Sequence, residues 1–301
     1  MIDLPRIPLA DYVRDPAPAP SLNAGVAHTL LTRSARHAWM EHPKLNPAYF
    51  HDDSEASDLG SIAHSLLLEG DRSRIVVVPA DDWRTKAAKQ MRDDARATGK
   101  LPILAHKMEA VEAMVDAAGV AIRESELADV LADARVEQTM VWQEAGVWLR
   151  SRPDWISADG RVLVDYKTHG GSAEPDAWAR GPLLSMGYDL QAAIGLRGAA
   201  AHFQPREPVF VFVVQETEPP YAVSFVGLAP QFVAFADQKL GVAIERWGYC
   251  LETNRWPGYP SRIAWAEAPT WATYQFGERQ AIAAAVDDGR PLAEQLSGEQ
   301  P

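Results

Sequence analysis

The chain has 301 residues, of which 47% are hydrophobic and 23% charged, a composition that excludes a disordered protein and fits one large domain or two small ones. The single cysteine, Cys250, excludes a disulfide framework, a four-cysteine zinc site and a cysteine-ligated iron–sulfur cluster. The formal net charge of −12 argues against a simple coat for nucleic acid, but it allows clustered carboxylates that bind metal ions.

The first residues predict an extended arm on a cytoplasmic protein. Residues 1–20 contain five prolines and little periodicity, which is typical of an extended segment. They also lack the apolar core of a signal peptide, and no apolar run reaches the roughly 18 residues of a membrane helix. We therefore expect a cytoplasmic location and no membrane partner.

Helices and one short strand are predicted next. Apolar spacing predicts a helix over 24–41 and a buried helix over 60–68, separated by a polar, acidic loop at 51–58. A β-branched run predicts a strand at 75–78.

Residues 84–107 form a basic segment within an acidic chain, with seven Lys and Arg against two Asp. Two interpretations stay open: a solvated helix with a charged loop, or a surface that contacts phosphate groups. In the second case Arg84, Lys86 and Lys89 are candidate DNA contacts. The following residues, 107–134, have the amphipathic pattern of a helix.

Strand and helix signals alternate after residue 135, and their order predicts an α/β (α+β) fold with a central mixed β-sheet flanked by helices. Asp159-Gly160 marks a hairpin turn between the second and third strands. The predicted strands are 136–142, 147–150, 161–167, 208–215 and 221–227, and the predicted helices are 177–185, 187–201 and 231–251.

The predicted organisation is an extended arm at 1–20, a single domain at 21–278 and a C-terminal tail at 279–301. Within the domain we expect a helical part at about 21–135 and the β-sheet core at about 136–251.

Two acids and a lysine form the candidate site. Asp154 and Asp165 lie eleven residues apart on strands joined by a short turn, and period two places Asp165 and Lys167 on one strand face. Carboxylates bind Mg²⁺ or Mn²⁺, and the backbone carbonyl of Tyr166 is a further candidate ligand. A surface ion pair is the alternative, but an acid inside an apolar strand must be paired or bind a cation.

Pro153-Asp154 and Asp165-Tyr166-Lys167 resemble the signature of the PD-(D/E)xK nuclease superfamily. The resemblance implies a restriction-endonuclease-like core with an N-terminal helical region.

Two helical motifs make the sequence most similar to the RecE-like exodeoxyribonuclease VIII group, over about residues 20–250. Gly60 and His64 resemble the glycine and histidine of that group's first motif helix, and Tyr188 with Gln191 resembles its Y-x-x-Q helix.

The resemblance implies a role for each matched residue. His64, Asp154 and Asp165 would be metal ligands, Lys167 the catalytic lysine, and Gln191 a residue that contacts the site or DNA. Judged by its local sequence alone, His64 is typical of a buried core histidine.

Three further residues are candidates near this site. Tyr188 shares a helical face with Gln191 and would contact the site or DNA with it. Arg152 would contact a phosphate or pair with Asp154, and both alternatives stay open. Glu137 could face the site from the first predicted core strand.

The function implied by the resemblance is a metal-dependent exonuclease that degrades linear double-stranded DNA from 5′ to 3′ in phage-type recombination. Its cofactor would be Mg²⁺, with Mn²⁺ as a substitute, and an iron–sulfur cluster is excluded. Its partners would be double-stranded DNA, a single-strand annealing protein and further copies of the chain in a ring. The alternatives are a structure- or sequence-specific endonuclease, an inactive DNA-binding or assembly protein, and a small-molecule hydrolase.

Overall fold

A computed structural model of the protein describes residues 2–3, 6–49 and 55–287. Residues 51–54 of the predicted acidic loop and the last part of the predicted tail, 288–301, lie outside the described residues. The rest of that predicted loop, 55–58, is instead the beginning of the helix Glu55–Glu69. None of the helices in the described part is long and apolar enough to cross a membrane.

The chain forms two compact units, Met1–Tyr259 and Pro260–Pro301. The division lies before the boundary at 278 that the sequence predicts. The units divide within the stretch 254–269, which contains no helix or strand.

Three predicted helices, 24–41, 107–134 and 177–185, are each two helices in the structure, and the helix predicted at 60–68 begins at Glu55. The predicted helix at 24–41 is two helices, because Ser34 adopts an extended backbone and its hydroxyl accepts the amide hydrogen of His37. The helices are α1 (Leu9–Val13), α2 (Ala24–Thr32), α3 (Ala35–Met40), α4 (Glu55–Glu69), α5 (Lys86–Ala97), α6 (Ala105–Arg123), α7 (Ala128–Ala132), α8 (Pro175–Arg180), α9 (Pro182–Ser185), α10 (Tyr188–His202), α11 (Pro230–Thr253) and α12 (Thr270–Asp287).

The strands form three sheets in the described residues. The central sheet is mixed, with the order β10-β9-β8-β7-β4, and only its β8–β9 pair is parallel. This confirms the predicted mixed sheet flanked by helices. The strands are β1 (Ile2–Asp3), β2 (Ile75–Val78), β3 (Leu101–Leu104), β4 (Arg135–Val136), β5 (Met140–Glu144), β6 (Val147–Ser151), β7 (Trp155–Ile156), β8 (Val162–His169), β9 (Val209–Glu216) and β10 (Val223–Gly227).

The N-terminal segment is folded against the rest of its unit, unlike the extended arm expected for 1–20. Strand β1 pairs with β5, and α1 follows it. Asp15 is buried, and its carboxylate accepts hydrogen bonds from the Ser21 hydroxyl and lies 3.3 Å from the Arg150 guanidinium. A buried ion pair of this kind fixes the segment in place.

The central sheet separates two hydrophobic cores. Leu163 of β8 and Phe212 of β9 face the core that α2, α10 and α11 cover. Val164 and Tyr166 face the core beneath α4 and α6. Because side chains alternate along a strand, Asp165 lies on the same face as Leu163, towards α10.

Candidate active site

The site lies at a corner where two strands leave one sheet and enter another. The path from β4 to β5 breaks at Glu137, which has a left-handed φ of 51°, and the path from β6 to β7 breaks at Asp154. The Glu137 amide donates to the Asp154 carbonyl oxygen at 2.9 Å, which closes the corner. A non-glycine residue with positive φ is uncommon and is often found at functional sites.

The two acids of the predicted motif meet at this corner. Strands β7 and β8 pair antiparallel, with Trp155 opposite Val164, so Asp154 and Asp165 are the next residues along each strand. Both carboxylates are buried. One oxygen of Asp154 accepts the Tyr166 amide hydrogen at 2.7 Å, so the carboxylate holds the edge of β8.

His64 reaches the corner from α4. Its Nε2 atom lies 2.6 Å from Oδ1 of Asp154, and its Nδ1 atom lies 3.9 Å from Oε1 of Glu137. The predicted helix that carries His64 therefore delivers this side chain to the acids. The buried neighbours of His64 on α4, Ile62 and Ala63, pack in the second core and fix the helix.

Lys167 and Gln191 both contact Asp165. The Lys167 ammonium forms an ion pair with Oδ1 of Asp165, and the Gln191 amide donates to Oδ2 at 2.5 Å. The structure therefore brings together five residues that the sequence predicts at the site: His64, Asp154, Asp165, Lys167 and Gln191.

The two carboxylates have opposite pKa shifts. Burial and then the charge of Asp154 raise the pKa of Asp165 to about 6. Burial also disfavours the charge on Asp154, but His64 and Lys167 outweigh this and lower its pKa. Burial opposes the positive charge of His64 and of Lys167. The neighbouring acids outweigh this effect, so the pKa of each residue is raised. The ionised form is therefore less favoured at Asp165 than at Asp154.

Glu137 extends the site towards the N-terminal segment. Its carboxylate accepts from Arg152 at 2.5 Å and from Arg6 at 3.2 Å. Arg152 therefore pairs with Glu137, which was neither of the two alternatives left open by the sequence. Arg6 also pairs with Glu69 at the end of α4.

The N-terminal segment supplies site residues that the sequence did not reveal. The Tyr12 ring lies against the guanidinium groups of Arg150 and Arg152, 5.5 and 5.7 Å from its centroid. Tyr12 and Arg6 lie in a proline-rich stretch with no periodic pattern, so no local signal could have found them.

Other predicted residues lie elsewhere or make other contacts. Arg84 pairs with Asp82 at 3.5 Å, and Lys86 and Lys89 are exposed at the start of α5; no described contact joins these three to the acids. The described contact of Tyr166 with the site is made by its amide, whereas a role for its carbonyl oxygen stays a prediction.

Residues 31–268 match a family described as PDDEXK-like domain of unknown function (DUF3799). The chain belongs to this family. No curated protein is significantly similar to it.

Solved structures resemble this PDDEXK-like chain in fold. A candidate exonuclease from Eubacterium rectale has 13% sequence identity and a TM-score of 0.56, over 88% of this chain and 97% of that chain. SSO0001 has 12% identity and a TM-score of 0.26, over 68% of this chain and 97% of that chain, and this likeness supports no argument. The first likeness concerns the fold alone.

The donor chemistry of the PDDEXK-like site fits a divalent cation. Asp154 and Asp165 offer buried carboxylate oxygens, and His64 offers an imidazole nitrogen once its proton is released. Burial, followed by the charge of Asp154, raises the pKa of Asp165, and a bound cation would favour the ionised carboxylate. Among the described residues, no three His, Cys, Asp or Glu side chains are arranged around one point as metal ligands. Instead, His64 forms an ion pair with Asp154, and Lys167 forms one with Asp165.

Proposed function

We propose that the protein is a divalent-metal-dependent nuclease that degrades linear double-stranded DNA from its ends. The observation that carries the proposal is the convergence of His64, Lys167 and Gln191 on the paired carboxylates of Asp154 and Asp165. Nucleases with a PD-(D/E)xK core generally use divalent metals, and membership of the PDDEXK-like family supports the same reaction class here.

His64, Asp154 and Asp165 would hold the metal. A bound divalent cation would polarise a phosphoryl oxygen and lower the pKa of a bound water. We favour Mg²⁺ because two ligands are carboxylates, with Mn²⁺ as a substitute because imidazole suits it better.

Lys167 would stabilise charge on the phosphate, and Gln191 and His64 orient the two carboxylates. The Lys167 ammonium, held beside Asp165, neutralises charge that develops on the phosphate during hydrolysis. The Gln191 amide fixes the second oxygen of Asp165 and so sets the direction of that carboxylate. His64, on α4, holds Asp154 in the same way.

The finer parts of the proposal rest on the resemblance to the RecE-like exodeoxyribonuclease VIII group. They are cleavage from 5′ to 3′, a role in phage-type recombination, an annealing partner and a ring of identical chains. The candidate exonuclease from Eubacterium rectale shares the fold and supports the exonuclease alternative to that extent. The basic face of α5, including Lys86 and Lys89, is the proposed contact with duplex DNA outside the acidic site.

The deciding experiment compares linear and closed-circular duplex DNA with Mg²⁺ or Mn²⁺. Asp165→Asn and Lys167→Ala are the test variants. Asp176→Asn is the matched control, because Asp176 is exposed and its one ion pair among the described residues is with Arg180 in its own helix. We expect loss of linear DNA alone, abolished in both test variants and kept in the control.

Each other outcome selects an alternative. Cutting of the circle would indicate an endonuclease, and binding without digestion would indicate an inactive DNA-binding or assembly protein. Digestion of DNA labelled at its 5′ or 3′ ends then tests polarity. The molar mass in solution, measured by light scattering, tests the ring.

A further inference from the structure

The rings of Tyr188, Trp178 and Phe212 form an aromatic wall beside Lys167. The Lys167 ammonium nitrogen is 4.8 Å from the centre of the Tyr188 ring. That ring stacks on Trp178 with their centres 5.6 Å apart and their planes 14° apart. Phe212 contacts both rings, at 5.2 Å from Trp178 and 5.9 Å from Tyr188. The lysine therefore has an aromatic surface on one side and Asp165 on another.

Three separate elements build this wall, and each is fixed. Trp178 of α8 is 1% exposed, so it cannot turn away. Phe212 of β9 is the direct partner of Asp165 in the parallel β8–β9 ladder, so both side chains face the same side of the sheet. Tyr188 is the first residue of α10 and follows Gly187, whose left-handed φ of 72° turns the chain into the helix.

We propose that Tyr188 is a positioning residue for Lys167, with Trp178 as the support that holds its ring. This inference rests on the proposed function and assigns Tyr188 to the site, which is one of the two alternatives, the site or DNA, that the sequence leaves. The face of an aromatic ring attracts a cation, and this attraction grows as water is removed; the Lys167 side chain is only 18% exposed.

The physical need for such a surface follows from the lysine itself. Its ammonium is a point charge on a flexible four-carbon chain, and one ion pair leaves several rotamers open. Asp165 supplies the only ion pair described for Lys167 among the described residues. The Tyr188 ring restricts the remaining rotamers, so the ammonium stays where a phosphate oxygen would arrive. Misplacing a catalytic group by about 1 Å costs roughly 100-fold in rate.

The test separates positioning from DNA contact by the kinetic constant that changes. Tyr188→Phe keeps the ring, Tyr188→Leu removes it, and Tyr249→Leu is the control because Tyr249 is an exposed tyrosine on α11, 55% accessible. With linear duplex DNA we expect Tyr188→Leu to lower kcat about 10- to 100-fold with DNA affinity unchanged. Tyr188→Phe should restore most of kcat, and the control should match the wild type.

Two kinetic results would overturn the inference. If Tyr188→Leu weakened DNA binding and left kcat intact, Tyr188 would be a DNA contact. If Tyr188→Phe lost as much activity as Tyr188→Leu, the hydroxyl rather than the ring would matter.

A second measurement needs no nuclease activity and therefore stands if the proposed function fails. The rate at which an amine reagent modifies Lys167 in the folded protein, followed by mass spectrometry, reports how tightly the ammonium is held. We expect faster modification in Tyr188→Leu and, through its loosened support, in Trp178→Phe, with Tyr188→Phe near the wild type. Equal rates in all four proteins would refute the positioning role, and Trp178→Phe keeps the test valid if Tyr188→Leu does not fold.

Discussion

Nε2 of His64 lies 2.6 Å from Oδ1 of Asp154, although 90 positions separate the two residues in the chain. This contact joins helix α4 to the corner at Glu137 and Asp154, where the strands pass from one sheet to another. It also explains the unequal pKa values of the two acids, since His64 stands against Asp154 and contributes less to Asp165. The same asymmetry leads to the first prediction.

Asp165→Asn should stabilise the metal-free protein while it abolishes digestion. The folded state holds the pKa of Asp165 at about 6, against an ordinary value of 3.8, so ionising this carboxyl destabilises the fold. The penalty is absent near pH 4, grows between about pH 4 and 6, and is constant above. We expect a gain on the order of 1–3 kcal/mol at pH 7.5, because an isosteric amide also gives up the ion pair with Lys167.

Urea denaturation in the presence of a chelator, at pH 4, 5, 6 and 7.5, measures this effect. The advantage of Asp165→Asn should vanish towards pH 4, whereas the exposed control Asp176→Asn should track the wild type throughout. A variant that is less stable than the wild type at pH 7.5 would contradict the prediction.

Glu137 should couple strongly to Arg152 and weakly to Arg6. The Arg152 side chain is 6% exposed and that of Arg6 is 48% exposed, while Glu137 accepts from both. Breaking a buried pair leaves an uncompensated charge, whereas an exposed pair contributes about 0–1 kcal/mol. Double-mutant cycles with alanine, read from the free energy of unfolding, should give about 2–3 kcal/mol for Glu137–Arg152. Equal coupling in the two cycles would show that burial does not decide the strength of these pairs.

Asp15→Asn should destabilise the protein at neutral pH, and the loss should shrink in acid. Burial disfavours the charge on Asp15, but hydrogen bonds from His42 and Ser21 and the charge of Arg150 outweigh it and lower its pKa. A lowered pKa gives stability that is present above the unfolded value and is lost as pH falls towards the folded value. We expect a loss of about 3–5 kcal/mol at pH 7, because Arg150 is left buried without its charge partner.

Denaturation at pH 3 to 7 provides the measurement for Asp15. Asp11→Asn is the control, because Asp11 is exposed in the same segment. A loss that is independent of pH would mean that packing, and not the carboxylate charge, is what Asp15 contributes.

Gly187→Ala should destabilise the fold and disturb the start of α10. Its φ of 72° costs an L-residue roughly 1–2 kcal/mol, and a Cβ atom there would lie 2.6 Å from the His28 ring. Gly227→Ala is the matched control, because nothing lies within 4 Å of its added Cβ atom. We expect Gly187→Ala to unfold at a clearly lower temperature than the wild type. The free energy of unfolding of the control should lie within about 0.5 kcal/mol of the wild-type value. Similar stability in both variants would show that α10 tolerates a shift at its first turn.

The sequence was most informative where a pattern is local. Period two along β8 placed Asp165 and Lys167 on one face. The turn at Asp159-Gly160 precedes β8 as predicted, but it joins β8 to the short strand β7, which the sequence did not predict. The predicted strand at 147–150 pairs with β5 in another sheet instead. The mixed sheet followed from the order of strands and helices. The positions of His64 and Gln191 needed the family resemblance, because each acts across a long separation in sequence.

The rest depended on tertiary structure that no local pattern encodes. The predicted strand at 136–142 is broken at Glu137, because the chain leaves one sheet there and enters another. Arg6 and Tyr12 reach the site only because β1 pairs with β5, which brings a proline-rich segment over the hairpin. The assignment of Arg152 to Glu137 likewise depends on this corner.

Strand β9 is the parallel neighbour of β8, and it follows Lys167 in the chain by way of α8, α9 and α10. During synthesis on a ribosome, at roughly 5–20 residues per second, β8 must therefore wait some seconds for its partner. Gln191 leaves the ribosome within the same interval, and only then can its amide form a hydrogen bond with Asp165. The order of the strands thus delays assembly of the site until most of the polypeptide has been made, so a prematurely terminated chain that ends within α8 carries both acids and the lysine but cannot arrange them.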